Sequence, residues 1–429
     1  MQTIFNDDDV LKNERLADPE YKPRTIAEVG VRESVLEDIA LKTLYQHGSL
    51  SILDLSDHTR LGYDAAEQLF SRLRAKLFCE VTGMRGNVPE IAISSLGRTR
   101  ALDLLTRNQY SGAMPVSLES YVGQVRKQSI RQMQVRPADV ERAFAHLVFT
   151  NEVLSQLGTA LNSGSAVFLY GPPGVGKTAA AETLSRVFAE DQIWIPYAVE
   201  VGGQIITVYD PAIHGPSLAT ASDGVDRRWV LCKRPTVTVG GELTIEMLDL
   251  QFNPTTNYYD GPPQMKANNG VLIIDDFGRQ RISPEELLNR WVVPLDRGIE
   301  FLTFAGGRKI EIPFEMLVVF ASNRDPRTVL DSAFLRRIQT KIKLGDVSEE
   351  QFCEIFRRVA REQGLKVEQS VLDELIHVIR DVQKEALRAC QPRDLLNQVC
   401  WKARYEDRKP SLDRASLLLA LKTYFLPPV

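Results

Sequence analysis

The run Gly171-Pro172-Pro173-Gly174-Val175-Gly176-Lys177-Thr178 has the residue types and spacing of a phosphate-binding loop, G-x4-G-K-T. It follows the apolar run Val167-Phe168-Leu169-Tyr170 and precedes a helical pattern over Ala179–Phe188. Strand, loop and helix in that order are the context such a loop requires. The glycines let backbone N–H groups close around phosphate oxygens, and the helix start adds the positive end of its dipole. In that arrangement Lys177 reaches the β- and γ-phosphates and Thr178 ligates the metal. Farther along, Val271-Leu272-Ile273-Ile274 leads into Asp275-Asp276. A buried strand ending in a carboxylate sets that oxygen beside the metal, so Asp275 is the expected metal-binding aspartate. The ligands these residues call for are ATP and Mg2+.

Together with the residues that follow, these motifs resemble the AAA+ ATPases over residues 140–427. The resemblance implies a reading residue by residue. Asp276 stands where most relatives carry the glutamate that polarises the attacking water. Being one methylene shorter, it requires either that the water shifts or that hydrolysis is slow. Ser322-Asn323, after the strand Leu317–Ala321, resembles sensor 1, in which Asn323 bonds the γ-phosphate or the water. Asp331-Ser332-Ala333-Phe334-Leu335-Arg336-Arg337 resembles the segment that carries an arginine finger, and the sequence leaves Arg336 and Arg337 both open. Gln391-Pro392-Arg393-Asp394-Leu395 resembles sensor 2, with Arg393 on the γ-phosphate of its own subunit. Because a finger completes a neighbour's site, the resemblance implies a homo-oligomer, a hexamer by family analogy.

Two period-two segments refine the placement. Ile299–Phe304, a Gly306-Gly307 turn and Lys309–Ile312 read as a hairpin just before the sensor 1 strand. It follows a helix with Ser283 as cap, Pro284 in its first turn and Glu286 at N3. Thr236–Val239, Gly240-Gly241 and Leu243–Ile245 read as a second hairpin, where MoxR-type chaperones, magnesium chelatase subunits and MCM-like helicases carry a helix-2 insertion. The resemblance therefore falls on the MoxR-like side, the pre-sensor-1 hairpin branch. An ordinary loop hairpin at either place is the alternative.

The elements that must position these residues follow from pattern. Residues 1–32 are polar and read as a flexible lead; 33–108 read as a compact winged-helix-like α+β domain. There Ser34 and Glu37 fit a capping box. Leu36, Ile39, Ala40, Leu44 and Tyr45 form an apolar stripe. A second helix carries Ile52, Leu53 and Leu55, and a third Ala66, Leu69, Phe70 and Leu73; a wing follows from 77–81 and 91–93. Residues 109–139 read as a linker. The α/β P-loop core, with a parallel sheet covered on both faces, spans 140–345, and a helical C-terminal lid spans 346–429. Caps are expected at Ser348 and near Ser411.

Composition bounds the partners. A net charge of −4 gives no global reason to expect nucleic acid or an anionic membrane. Between Glu33 and Arg107 stand ten acidic and nine basic residues. The third helix places Asp64 and Glu67 where base contacts would be made, and Arg72, Arg74 and Lys76 only at its far end. A protein substrate or adaptor is the expected partner, with nucleic acid possible but not favoured. An ATP-driven remodeller of a protein is thus the first reading. A DNA-associated regulator or motor is the second, and a slow nucleotide-controlled switch the third. The acidic N-terminus has no apolar core of a signal peptide, no run is long enough to cross a bilayer, and five scattered cysteines read as reduced thiols. The expected location is cytoplasmic.

Overall fold

A computed structural model of the chain describes Pro19 and residues 22–217 and 224–425. Most of the expected lead and the last four residues of the expected lid lie outside the described residues. In chain order the main elements begin with α1 (Glu33–His47), β1 (Ser49–Ser51), α2 (Ile52–Thr59), α3 (Tyr63–Ala75), β2 (Cys79–Arg85), β3 (Val88–Ile93) and α4 (Ser95–Arg107). Next come β4 (Val116–Ser117), α5 (Leu118–Lys127), α6 (Pro137–Phe144), α7 (Asn151–Ser163), β5 (Ala166–Tyr170) and α8 (Lys177–Arg186). Strands β6 (Gln192–Pro196), β7 (Ala198–Val201), β8 (Gln204–Thr207), β9 (Trp229–Lys233), β10 (Thr236–Val239), β11 (Gln251–Asn253), β12 (Tyr258–Asp260) and β13 (Val271–Ile274) follow. After them lie α9 (Pro284–Arg290), α10 (Val292–Arg297), β14 (Ile299–Thr303), β15 (Lys309–Pro313), β16 (Leu317–Ser322), α11 (Ser332–Arg337) and β17 (Thr340–Lys343). The chain closes on α12 (Glu349–Glu362), α13 (Gln369–His377), α14 (Gln391–Tyr405) and α15 (Arg414–Tyr424).

Compactness divides the chain into two units, one of residues 1–133, 188–272 and 285–317, the other of 134–187, 273–284 and 318–429. The division passes through β13 and β16, two strands of the five-stranded sheet ordered β10–β13–β16–β5–β17. Strand β5 pairs parallel with both β16 and β17. Residues 188–272 and 285–317 fall in the same compact unit as residues 1–133.

In the first unit, α1, α2 and α3 pack on a three-stranded sheet ordered β1–β3–β2, both pairs antiparallel. Leu36, Ile39, Ala40, Leu44, Ala66, Leu69, Phe70 and Leu73 are buried, so the expected stripes face this core. Leu53 does not; it is 48% exposed. The proposed capping box at Ser34 is absent. Helix α1 begins two residues earlier, its N-cap Arg32 makes no side-chain cap bond, and Glu37 is engaged elsewhere by Arg72 and Lys76. The box is found on α2, where Ser51 and Asp54 satisfy each other's backbone N–H.

Residues 109–139 are more than a linker. β4 pairs parallel with β7 at the edge of a second sheet ordered β11–β12–β8–β7–β4, and α5 buries Tyr121 and Val125. Arg228 fixes this layer: paired with Asp226 at 2.7 Å, it donates to the carbonyls of Val29 and Pro115 at 2.8 and 3.0 Å, all of it buried. The expected hairpin β14–β15 forms, with Phe301 opposite Glu311. The second expected hairpin does not form. Strand β10 lies beside β13 in the five-stranded sheet, and 243–245 turn into a single 3-10 turn over Glu246–Leu248. The wholly buried β13 takes β10 as its neighbour on one side and β16 on the other, so β10 serves the sheet and not a local hairpin.

The second unit holds the phosphate loop. Its strands carry Val167, Phe168, Leu169, Ile273, Ile274 and Val318–Ala321 at 1% exposure or less. The rings of Phe168, Phe277 and Phe320 meet edge-on or stacked, with centroids 5.0–6.1 Å apart. Helices α12 to α15 surround Phe352, Phe356, Leu372, Leu375, Leu395 and Leu417. Ser348 caps α12 in a box with Gln351, and the cap of α15 is Asp413 rather than Ser411.

Candidate active site

Strand β5 ends at Tyr170 and α8 starts at Lys177, so residues 171–176 must turn within six positions. Two glycines make that possible. At Gly171, φ is 152° and a Cβ would lie 1.9 Å from the carbonyl oxygen of Leu344. At Gly174, φ is 82° and a Cβ would lie 2.5 Å from Cys390 Sγ. A side chain at Gly171 would meet backbone that cannot move aside, and one at Gly174 would be strained by the left-handed φ. Cys390 also donates its backbone N–H to Gly174 O at 3.0 Å, tying the loop to the start of α14. Lys177 is 7% exposed, and its ammonium donates to the carbonyls of Gly171 and Pro172 at 3.0 and 2.7 Å. Burial pulls its pKa below the ordinary lysine value, against the opposing pull of Asp276 and Asp275.

The expected metal ligands stand together. Thr178 Oγ1 donates toward Asp275 Oδ2 at 2.9 Å and Oδ1 at 3.1 Å, although the two residues lie on different elements far apart in sequence. A hydroxyl and a carboxylate in contact at the end of a glycine-lined phosphate loop are a donor set that suits Mg2+. These residues fit the ion. Asp276 has φ 50°, a left-handed conformation that aspartate tolerates better than longer side chains do. It is held there by its own N–H on Asp275 Oδ1 at 3.0 Å, and the next residue, Phe277, donates to Ala321 O at 2.7 Å. Asn323 Nδ2 donates to Asp276 Oδ1 at 2.9 Å.

Around these groups opens a cavity of about 620 Å³ lined by Pro173–Thr178, Asp275, Asp276, Asn323 and Arg393, together with residues that no motif pointed to. That volume lies within the range of small-molecule sites. His146–Phe149 form one wall. His146 contacts Thr183 Oγ1 and Arg186 Nη1 at 3.3 and 3.4 Å, and burial with the Arg186 charge holds its pKa below the usual histidine value. Arg358 and Glu362 on α12 form another wall. Arg358 donates to Ala145 O at 2.7 Å, and Glu362 Oε2 faces Arg393 Nη2 at 3.3 Å. The i, i+4 spacing of these two is the only sequence signal they carried. Arg336 and Arg337 do not line the cavity. Arg337 Nη1 donates to Ala333 O and its guanidinium lies over the Phe334 ring, whereas Arg336 is exposed.

Comparison with known proteins adds little to this geometry. A family model described as a domain of unknown function, DUF8689, matches residues 348–423, the helical C-terminal part. No curated protein matches the chain. Among solved structures, the Thermotoga maritima RuvB Holliday junction branch migration motor is 16% identical, with a TM-score of 0.37, over 64% of this chain and 70% of that one. NtrX from Brucella abortus in complex with ATP is 14% identical at 0.40, over 68% and 60%. Domain III of the Thermotoga maritima replication initiation protein DnaA is 14% identical at 0.38, over 67% and 98%. The phosphate-loop strand β5 is flanked by β16, which delivers Asn323, and by β17; β13, which delivers Asp275, lies beyond β16; and four helices close the chain beside the loop. That is an α/β sheet carrying a phosphate loop, with a C-terminal helical subdomain.

Proposed function

We propose that the chain binds ATP with Mg2+ at the 171–178 loop and hydrolyses it, as a subunit of a homo-oligomer whose turnover remodels a protein partner. The observation that carries this reading is the contact of Thr178 with Asp275 at the closed end of a glycine loop that also buries Lys177. In it, backbone N–H groups of the loop and Lys177 hold the phosphates, and Thr178 and Asp275 hold the ion, which supplies charge neutralisation at the phosphoryl oxygens. Asp276, oriented by Asn323, accepts the proton of the attacking water. Arg393 meets the γ-phosphate, and an arginine of α11 reaches the site of the next subunit.

Steady-state ATPase and nucleotide-binding assays test the reading. Wild type should turn over well above about one ATP per minute, and Lys177→Ala should abolish binding. Tight ATP binding that survives Lys177→Ala would end the assignment. Binding without turnover would leave the slow switch.

A protein partner is favoured over DNA by one detail of α3. Two of the three cations at its end are already matched: Arg72 Nε lies 3.1 Å from Glu37 Oε1, and Lys76 Nζ is paired with the same carboxylate. Cations held by the protein's own acids release fewer counterions from DNA. Titration with duplex and single-stranded DNA at moderate salt should give no tight complex; nanomolar, salt-sensitive binding would replace this reading with the DNA-associated one.

A further inference from the structure

We infer that Glu362 sets the preference of the site for ATP over ADP by competing with the γ-phosphate for Arg393. The inference rests on the proposed nucleotide site and adds to it a residue with no place in the motifs. Helix α12 presents Glu354, Arg358 and Glu362 at successive i, i+4 positions. Arg358 is fixed by Glu354 Oε1 at 2.7 Å and by the Ala145 carbonyl at 2.7 Å, so this face of the helix is anchored beside the cavity wall. One turn on, Glu362 lines the same cavity and its carboxylate takes the guanidinium of Arg393 at 3.3 Å. Both side chains are more than half exposed, 62% and 61%, so the pair is weak and exchangeable. A phosphate group offers Arg393 a more highly charged acceptor than the single 3.3 Å contact it makes with this carboxylate. ATP presents that acceptor at the γ position and ADP does not. With ADP bound, Arg393 stays on Glu362; with ATP, it leaves, and Glu362 lowers ATP affinity by the strength of the pair it must give up.

The test measures equilibrium affinity for Mg-ATP and Mg-ADP in wild type, Glu362→Gln, Arg393→Ala and the double variant. Glu362→Gln should raise the ATP-to-ADP affinity ratio by about two- to fivefold, the strength of one exposed ion pair. In the Arg393→Ala background the same change should leave the ratio where it is. An unchanged ratio, or an equal rise without Arg393, overturns the inference while ATP binding that depends on Lys177 keeps the nucleotide site. Loss of Lys177-dependent binding in wild type would overturn both. Because both side chains are exposed, the variants are expected to keep the wild-type Tm, and a matched Tm confirms that affinity and not folding is being read.

Discussion

Asn323 donates its side-chain amide to Asp276 Oδ1 at 2.9 Å, which fixes the rotamer of a carboxylate whose backbone is already left-handed at φ 50°. The short acid is therefore not a loose one. A base must be held within reach of its proton, and an oriented aspartate can serve where a floppy glutamate would not. Asp276→Asn should keep the contact, its side-chain oxygen still accepting from Asn323 Nδ2, retain ATP binding and lower kcat by about two orders of magnitude or more. Asn323→Ala should lower kcat less, by about tenfold, with KM little changed. Steady-state kinetics beside a direct ATP-binding measurement separate the two, and an Asp276→Asn enzyme of normal kcat would remove Asp276 from the chemistry.

The loop glycines give a stability prediction that needs no nucleotide. Gly171→Ala would drive a Cβ to 1.9 Å from the backbone oxygen of Leu344, which no side-chain rotation relieves. The expected loss is about 3 kcal/mol or more, a fall in Tm on the order of 10 °C. Gly174→Ala meets a side chain, Cys390 Sγ, which can rotate, so its cost should be smaller. Gly306→Ala, in the turn between β14 and β15 with nothing within 4 Å, should be neutral. Differential scanning fluorimetry of the three variants ranks them, and a neutral Gly171→Ala would contradict the loop geometry.

Local signals were legible where one short segment carries its own reason. The phosphate loop, the strands 271–274 and 317–322 and the hairpin β14–β15 needed only period and glycine placement. Failures came where distant partners decide. Thr236–Val239 alternates like a hairpin arm, yet its neighbour is β13, and nothing local announces that a central strand lacks a partner. Ser34 and Glu37 have capping-box spacing, but Arg72 and Lys76, brought by α3, claim the carboxylate. In the site, His146, Arg358 and Glu362 were illegible for the same reason: each reaches the cavity through tertiary packing and belongs to no contiguous motif.

Glu300 predicts a pH effect on stability. It is 1% exposed, accepts from its neighbour Phe301 N–H at 2.9 Å and lies 3.4 Å from Arg290. Burial nevertheless outweighs both and raises its pKa from 4.5 to about 7. A carboxyl raised on folding contributes stability that is fully present below its unfolded value of 4.5 and lost as pH climbs through about 7. Chemical denaturation between pH 4.5 and 8 should show wild type losing stability relative to Glu300→Gln as pH rises, by about 3 kcal/mol at most. Parallel pH profiles would mean that Arg290 keeps the carboxylate ionised throughout.

The choice between the two arginines of α11 is now a prediction about subunits. Arg337 is occupied within its own chain by the Ala333 carbonyl and the Phe334 ring, while Arg336 is exposed and outside its own cavity. A finger must leave its subunit, so Arg336→Ala should cut the ATPase of the assembled protein by about a thousandfold and Arg337→Ala by far less. Neither should weaken ATP binding. Mixing Arg336→Ala subunits with Lys177→Ala subunits should restore part of the activity, because an intact site in one then receives an intact arginine from the other. Equal loss from both arginines would make α11 a structural element, and failure of the mixture to recover would argue that each site is complete within one chain.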